Sequence, residues 1–322
     1  MFNDNFFNEL NISSPTIEHH LSLSLLNPLR EFLDRPKKQI RSQLVSVGFA
    51  ISRSEHPETD VIKQISEILE SIHSASLIVD DVQDESLERR GQPSFHRLHG
   101  TATAINSGNW LYFLAIKRLR ELAIASRQKN AIIHKTLDTL FEGHIGQALD
   151  IGVPIVKVPR SEIPEICYST MNSKTGALTG LAIYCGAVTG GIDDSRAEYV
   201  FNVGREFGIL LQMIDDIKNI KLNANRAQNS KRFEDLKNLR PGFIWAFTAE
   251  YLDASALLAL KSSVESLPDT KAFADWSEKY DFFEKVLGHI QMRKLRFLKK
   301  CPDLTEYFTP IISQLEEAYE TT

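Results

Sequence analysis

Apolar residues along this chain recur in steps of three and four, and no stretch alternates convincingly in steps of two, so the pattern predicts helices and no sheet. Val61, Ile62, Ile65, Ile68, Leu69 and Ile72 trace one stripe, which opens near Pro57-Glu58 and runs unbroken towards Asp80, Asp81 and Asp84. Upstream, Leu21 to Leu33 is apolar at helical intervals, bent at Pro28, and ends near Asp34-Arg35-Pro36. A further helix is expected over roughly 38–53. Ser14 followed by Pro15 reads as an N-cap with proline at the first helical position, which leaves 1–14 as a loose, Asn-rich arm. Other helical patterns cover roughly 101–124, 130–151, 160–190, 194–222, 238–263, 270–299 and 303–319. Gly190-Gly191-Ile192-Asp193-Asp194 predicts a turn with an Asp cap, and residues 223–231 a polar loop. With no repeat and no interdomain linker, the expectation is one all-α domain over residues 1–322, built from about ten helices.

Composition narrows the function classes. Lys and Arg total 37 against 42 Asp and Glu, a net charge of -5, so a nucleic-acid partner is not expected and any basic site must be local. Cys167, Cys185 and Cys301 are too few and too far apart for a disulfide framework or a zinc pattern, which points to a reducing, cytoplasmic setting. The first residues carry acids and no early Lys or Arg, unlike a signal or transit peptide. No apolar run is long enough to span a bilayer, so no membrane anchor is expected.

Two acidic clusters carry the candidate chemistry. Asp80, Asp81 and Asp84 follow an apolar helix, and the four-residue spacing stacks Asp80 and Asp84 on one face with Asp81 beside them. Three carboxylates pointing into one space repel one another, and a divalent cation relieves that repulsion; Mg²⁺ takes one or two carboxylates and completes its shell with phosphate oxygens and water. A solvated helix end is the plainer alternative, disfavoured by the apolar turns from Ala75 to Val79. Arg89-Arg90-Gly91 follows at once and supplies cations. Gln212, Asp215, Asp216 and Asn219 repeat the arrangement at the end of a second apolar run, and two such clusters together can grip a diphosphate through several metal ions. Gln147 and Asp150 lie one turn apart, and Lys174-Thr175-Gly176 places an ammonium inside an apolar helix, where it needs an anionic partner.

These residues resemble the trans-isoprenyl diphosphate synthases, from about Leu25 to the C-terminus, and among them the geranylgeranyl diphosphate synthases of animal and fungal type. The match rests on Pro36-Lys37-Lys38-Gln39-Ile40-Arg41-Ser42, His73, Asp80-Asp81-Val82-Gln83-Asp84 and Arg89-Arg90-Gly91. The resemblance implies a single large helical bundle of the isoprenoid synthase type with a central active-site cavity. It implies that Asp80, Asp81, Asp84 and Asp150 bind Mg²⁺ on an allylic diphosphate (dimethylallyl, geranyl or farnesyl), with Arg89, Lys174 and Lys231 on its phosphates and Gln147 nearby. Isopentenyl diphosphate would lie on Lys38, Arg41, His73 and Arg90, and Asp215 and Asp216 would hold a further Mg²⁺, three ions in all. The carbonyls of Lys174 and Thr175, with Gln212, would steady the allylic cation. The family further implies a homodimer.

In this family a floor beneath the first Asp motif sets product length. Ala75 and Ser76 are small and leave the space below the acids open, so the floor would come from Tyr112, Phe113 and His144, as in the subgroup making C20 geranylgeranyl diphosphate. Tyr112 and Phe113 read equally as core aromatics at helical spacing. Departures from the family pattern are Lys37 for glycine, Ile214 for arginine, and Leu239-Arg240-Pro241-Gly242 for a Gly-Lys segment followed by an aromatic residue and proline. Those beyond Lys37 collect around the second acidic cluster and leave two other readings: a class I terpene cyclase, which needs no isopentenyl site, and a non-catalytic partner subunit, which would be expected to lose the first Asp motif. Retention of Lys38, Arg41, His73 and Arg90 favours elongation over cyclisation, and retention of the first Asp motif disfavours the partner subunit.

Overall fold

The structure is a computed structural model and describes residues 12–36, 39–52, 59–221 and 233–320. The chain divides into two compact units, Met1–Gln43 with Glu58–Lys129, and Leu44–Pro57 with Asn130–Thr322. The expected all-α class holds, with one small exception in the first unit.

The first unit opens with α1 (Pro15–Leu21), where the Ser14 hydroxyl accepts from the Ile17 amide as the sequence suggests. A π-helical stretch, Ser22–Leu26, leads into α2 (Asn27–Asp34). Pro28 has no N–H to return to Ser24, so the bend expected there takes the form of this widened turn. The helix α3 (Ile40–Ile51) begins in this unit and ends in the other. Then come α4 (Thr59–Gln83), a short hairpin, α5 (Phe95–His99) and α6 (Thr101–Glu121). The core gathers Leu25, Leu29, Phe32, Ala75, Ile78, Phe95, Leu111 and Leu114, each worth about 1–3 kcal/mol of burial according to size. α4 and α6 touch closely at Gly108, where a Cβ would stand 2.6 Å from the Val79 side chain.

The exception is the hairpin, β1 (Glu88–Arg89) paired antiparallel with β2 (Gln92–Pro93). Its two-residue loop has φ of 57° at Arg90 and 74° at Gly91, the left-handed pair of a type I′ turn. Strands of two residues are too short to show alternation, which is why the apolar pattern predicts no sheet here.

The second unit is built around α9 (Ala177–Thr189), buried at 11 of its 13 positions. A helix apolar on all sides belongs in the middle of a bundle. Before it lie α7 (Ser126–Gly152), α8 (Ile163–Met171) and a second π-helical stretch, Asn172–Gly176; after it comes α10 (Asp194–Ile220), capped by Asp193 as expected. α9 meets the second half of α3 backbone to backbone. The short α11 (Glu234–Lys237) precedes α12 (Phe243–Tyr251) and α13 (Ala254–Val264), and then α14 (Lys271–Lys279), α15 (Phe282–Lys300) and α16 (Thr305–Glu320). Two expected long helices are therefore broken. Asp253 accepts the Ala256 amide and starts α13 anew, and Asp281 at φ 50° interrupts the run at 280–281. Phe243, Phe247, Phe273, Trp276 and Phe282 form the aromatic centre of this unit's core.

Candidate active site

In the first unit, the last turns of α4 carry His73, Asp80 and Asp81, Asp84 follows directly at its end, and the hairpin comes next. Arg89 Nε donates to both oxygens of Asp81, at 2.8 and 3.0 Å, while its Nη2 stands 3.5 Å from Asp80. Asp81 is fully buried, so this cation offsets a charge that would otherwise be costly.

Arg90 points elsewhere, its guanidinium lying 5.4 Å from the centre of the Phe32 ring. It shares its surroundings with Arg41 and with Glu70, a carboxylate only 5% exposed. Burial pulls both guanidinium pKa values down, and the Glu70 charge opposes that. Among the described residues, Arg41 Nε, Arg90 Nη1 and Glu70 Oε1 are buried without a hydrogen-bond partner. Unmet donors of this kind cost free energy unless an anion or water occupies the space, so the cluster has the donor chemistry of a phosphate site. Sequence reasoning missed Glu70. The signal was present: an acid inside the stripe Ile68-Leu69-Glu70-Ser71-Ile72 must be buried beside a cation.

Tyr112 is half-buried, and burial with the nearby Asp80 charge pushes its hydroxyl well above the usual range, while a hydrogen bond with Ser76 opposes the rise. The Ser76 hydroxyl lies 2.8 Å from the His73 carbonyl. Ala75 does not line open space as expected; it is fully buried in the core, and its backbone carbonyl stands 3.3 Å from where a Cβ on Gly108 of α6 would lie. Phe113, expected in the floor, is 75% exposed. Lys38 and Lys231 lie outside the described residues.

In the second unit, Lys174 finds the anion its position demanded: Nζ lies 2.5 Å from Asp150 Oδ2. Arg240, one of the departures from the family pattern, donates from Nη1 to the Asp150 backbone carbonyl at 3.2 Å. Lys174 and Thr175 sit in the π-helical stretch, a widened turn common where a helix serves function. The Thr175 hydroxyl donates to Gln212 Oε1 at 2.6 Å, Gln212 Nε2 donates to Asp216 Oδ1 at 2.7 Å, and Asp216 Oδ2 accepts the Phe243 amide at 2.8 Å. Each carboxylate oxygen of Asp216 thus accepts one hydrogen bond from within the protein. Burial pushes its carboxyl pKa up to about 7, against the lowering pull of the Gln212 and Phe243 hydrogen bonds. Asp215 is exposed instead. The Thr175 carbonyl is turned towards α10, 2.9 Å from where a Cβ on Gly208 would stand and within 2.9 Å of the Thr179 hydroxyl. Gln147 is half-buried, and His144 is exposed with Nδ1 2.8 Å from the Leu140 carbonyl. Asp216, Asn219, Arg240, Gly242 and Trp245 line a small hollow.

Among the described residues, no three His, Cys, Asp or Glu side chains stand together as a ready metal cage. In the first motif Asp81 is held by Arg89, and Asp80 stands 3.5 Å from the same guanidinium. The donor set nevertheless fits a hard cation that needs only one or two carboxylates and takes its other oxygens from substrate phosphates.

Comparison with known proteins agrees with this chemistry. The chain is 35% identical over 213 residues to geranylgeranyl pyrophosphate synthase 2 of Zymoseptoria tritici, covering 66% of this chain and 60% of that protein. It is 33% identical over 212 residues to a copalyl diphosphate synthase of Talaromyces verruculosus, covering 66% of this chain and only 20% of that one. A crystal structure of a geranylgeranyl pyrophosphate synthase shares the fold, with a TM-score of 0.77 and 18% identity over 93% of this chain and 96% of the other. The polyprenyl synthetase pattern matches residues 23–273, a span that holds both acidic clusters, both arginines of the hairpin and Lys174. On that match the chain belongs to the polyprenyl synthetase family.

Proposed function

We propose that the protein is a trans-prenyltransferase that joins isopentenyl diphosphate to an allylic diphosphate (dimethylallyl, geranyl or farnesyl) and makes geranylgeranyl diphosphate. The observation that carries this reading is the division of labour in the hairpin: Arg89 lies on the Asp motif, while Arg90 lies with Arg41 among unmet buried polar atoms. An elongating enzyme needs two diphosphate sites, and a cyclase needs one. Asp80, Asp81 and Asp84 in the first unit and Asp150, Asp215 and Asp216 in the second would hold Mg²⁺, three ions in all, and the metal would supply Lewis-acid stabilisation of the departing diphosphate. Arg89 and Lys174 donate to the leaving oxygens, where charge grows in the transition state. Arg41, Arg90, His73 and Lys38 hold isopentenyl diphosphate so that its double bond attacks the allylic cation. One C–O bond breaks, one C–C bond forms, and the departed diphosphate takes the proton.

The test is turnover of purified protein with isopentenyl diphosphate and each of the C5, C10 and C15 partners, and separately with C20 diphosphate alone. Elongated diphosphates are expected. Hydrocarbon or alcohol from C20 alone would establish a cyclase, and no turnover in either series a non-catalytic subunit. Tyr112, packed one turn from Asp80, is the floor we assign; Tyr112→Ala is expected to release products at least one C5 unit longer, read by chromatography of the dephosphorylated products.

We assign Phe113 and His144 to a homodimer face rather than to the floor. In the first unit α6 exposes Ile105 and Phe113, and in the second α7 exposes Leu137, Phe141 and Ile145 at four-residue intervals. Exposed apolar side chains of this size, repeated along one helix, are characteristic of an interface. Phe141→Glu is expected to convert a dimer to a monomer by light scattering; an unchanged mass would remove α7 from the interface. A cytoplasmic setting suits three free, buried cysteines, and no helix among the described residues is long and apolar enough to cross a membrane.

A further inference from the structure

Arg35 lies outside every role assigned so far, yet its side chain is 1% exposed and every part of its fork is engaged. Nε and Nη2 donate to Glu31 Oε1 at 3.3 and 2.8 Å. Nη1 donates to the backbone carbonyls of Arg89, at 3.2 Å, and Pro93, at 2.9 Å, and so ties together the two strands of the hairpin. The first of these bonds decides more than the second. The Arg89 carbonyl belongs to the peptide that joins Arg89 to Arg90, so fixing that plane fixes ψ of one arginine and φ of the next. Arg90 sits at φ 57°, a left-handed conformation that a non-glycine residue keeps only when its surroundings impose it.

The same residue shapes the other side of the turn. Its guanidinium lies 5.0 Å from the centre of the Phe32 ring, and Arg90 lies 5.4 Å from that ring. Phe32 is fully buried and is held edge-on by Phe95, with centroids 5.9 Å apart. A fixed aromatic surface and a fixed peptide plane together leave Arg90 little freedom, and a preorganised guanidinium loses less entropy when it takes up phosphate.

We propose that Arg35 is a positioning residue for both diphosphates: by holding the Arg89–Arg90 peptide, it directs Arg89 to the acids of α4 and Arg90 to the cluster with Arg41 and Glu70. This rests on the prenyltransferase reading for the identity of the substrates. Lysine cannot replace it, since one ammonium cannot reach two carbonyls and Glu31 in this fixed geometry.

The test compares wild type, Arg35→Gln, Arg35→Lys and Glu31→Gln. Steady-state kinetics are expected to show KM for both diphosphates raised about tenfold or more in Arg35→Gln, with kcat changed less than about threefold, and incomplete rescue by Arg35→Lys. Calorimetric binding of inorganic pyrophosphate with Mg²⁺ supplies a readout that needs no turnover, and there the Gln variant is expected to bind at least about tenfold more weakly. Should Arg35→Gln fail to fold, Glu31→Gln, which removes the acceptor's charge from two of the four bonds, is expected to raise both KM values about threefold. Equal pyrophosphate affinity, or unchanged KM in a folded variant, overturns the positioning role. Absence of turnover in wild type would instead overturn the synthase reading, and the pyrophosphate comparison would still decide on Arg35.

Discussion

Asp81→Asn lowers kcat/KM by roughly a thousandfold or more, about 4 kcal/mol of transition-state stabilisation, while the helical circular dichroism stays that of wild type. Asp81 is fully buried and the asparagine side chain has nearly its volume, so the helix has no steric reason to change. What changes is charge. A neutral amide neither binds Mg²⁺ as a carboxylate does nor balances Arg89, which is left with Asp80 at 3.5 Å. Breaking a buried pair by removing one partner also costs stability, about 3 kcal/mol, so the variant melts earlier but remains folded at assay temperature. Initial rates at several Mg²⁺ concentrations check the prediction. Activity within threefold of wild type would show that the first cluster is not the metal site.

The largest effect on stability is expected at Gly186. A Cβ there would stand 2.0 Å from the Val45 carbonyl oxygen and 2.8 Å from the Phe49 amide, and across the same crossing a Cβ on Gly48 would stand 2.0 Å from the Ile183 carbonyl. Both obstacles are backbone, which cannot swing aside as a flexible side chain can. Gly186→Ala must therefore push α3 and α9 apart, at a cost above about 4 kcal/mol against a total stability of about 5–15 kcal/mol. Thermal denaturation is expected to show Tm lower by about 10 °C or more, or no soluble protein. A Tm within about 2 °C of wild type would mean that the helices do not cross this closely.

Helix content was legible in the sequence because apolar spacing is a local property, and so were the caps at Ser14 and Asp193, where a short polar side chain bonds the adjacent helix amide. The breaks at 252–253 and 280–281 were not, because each depends on a single residue's dihedral angles within an otherwise helical pattern. The hairpin was half legible: Arg90-Gly91 marks a turn, while its type I′ geometry depends on strands too short to leave a signature. The same limit applied to the site. That Lys174 needs an anion followed from its apolar surroundings, but only packing named Asp150. Ala75 looked like an opening because smallness in a sequence does not distinguish a cavity from a tight helix contact.

By itself, then, the sequence determined which residues carry charge into an apolar helix end: Asp80, Asp81, Asp84, Arg89, Arg90, Lys174, Asp215 and Asp216. It could do so because burying charge is so costly that such residues stand out against their neighbours. Tertiary structure alone decided how those charges are spent. Asp216 is bound up with Gln212 and the Phe243 amide, Asp215 is left exposed, and Arg35 and Glu70 join the two hairpin arginines as partners. Partnership is a matter of distance in space, between residues as far apart in sequence as Arg35 and Arg89, and no periodicity along the chain encodes it.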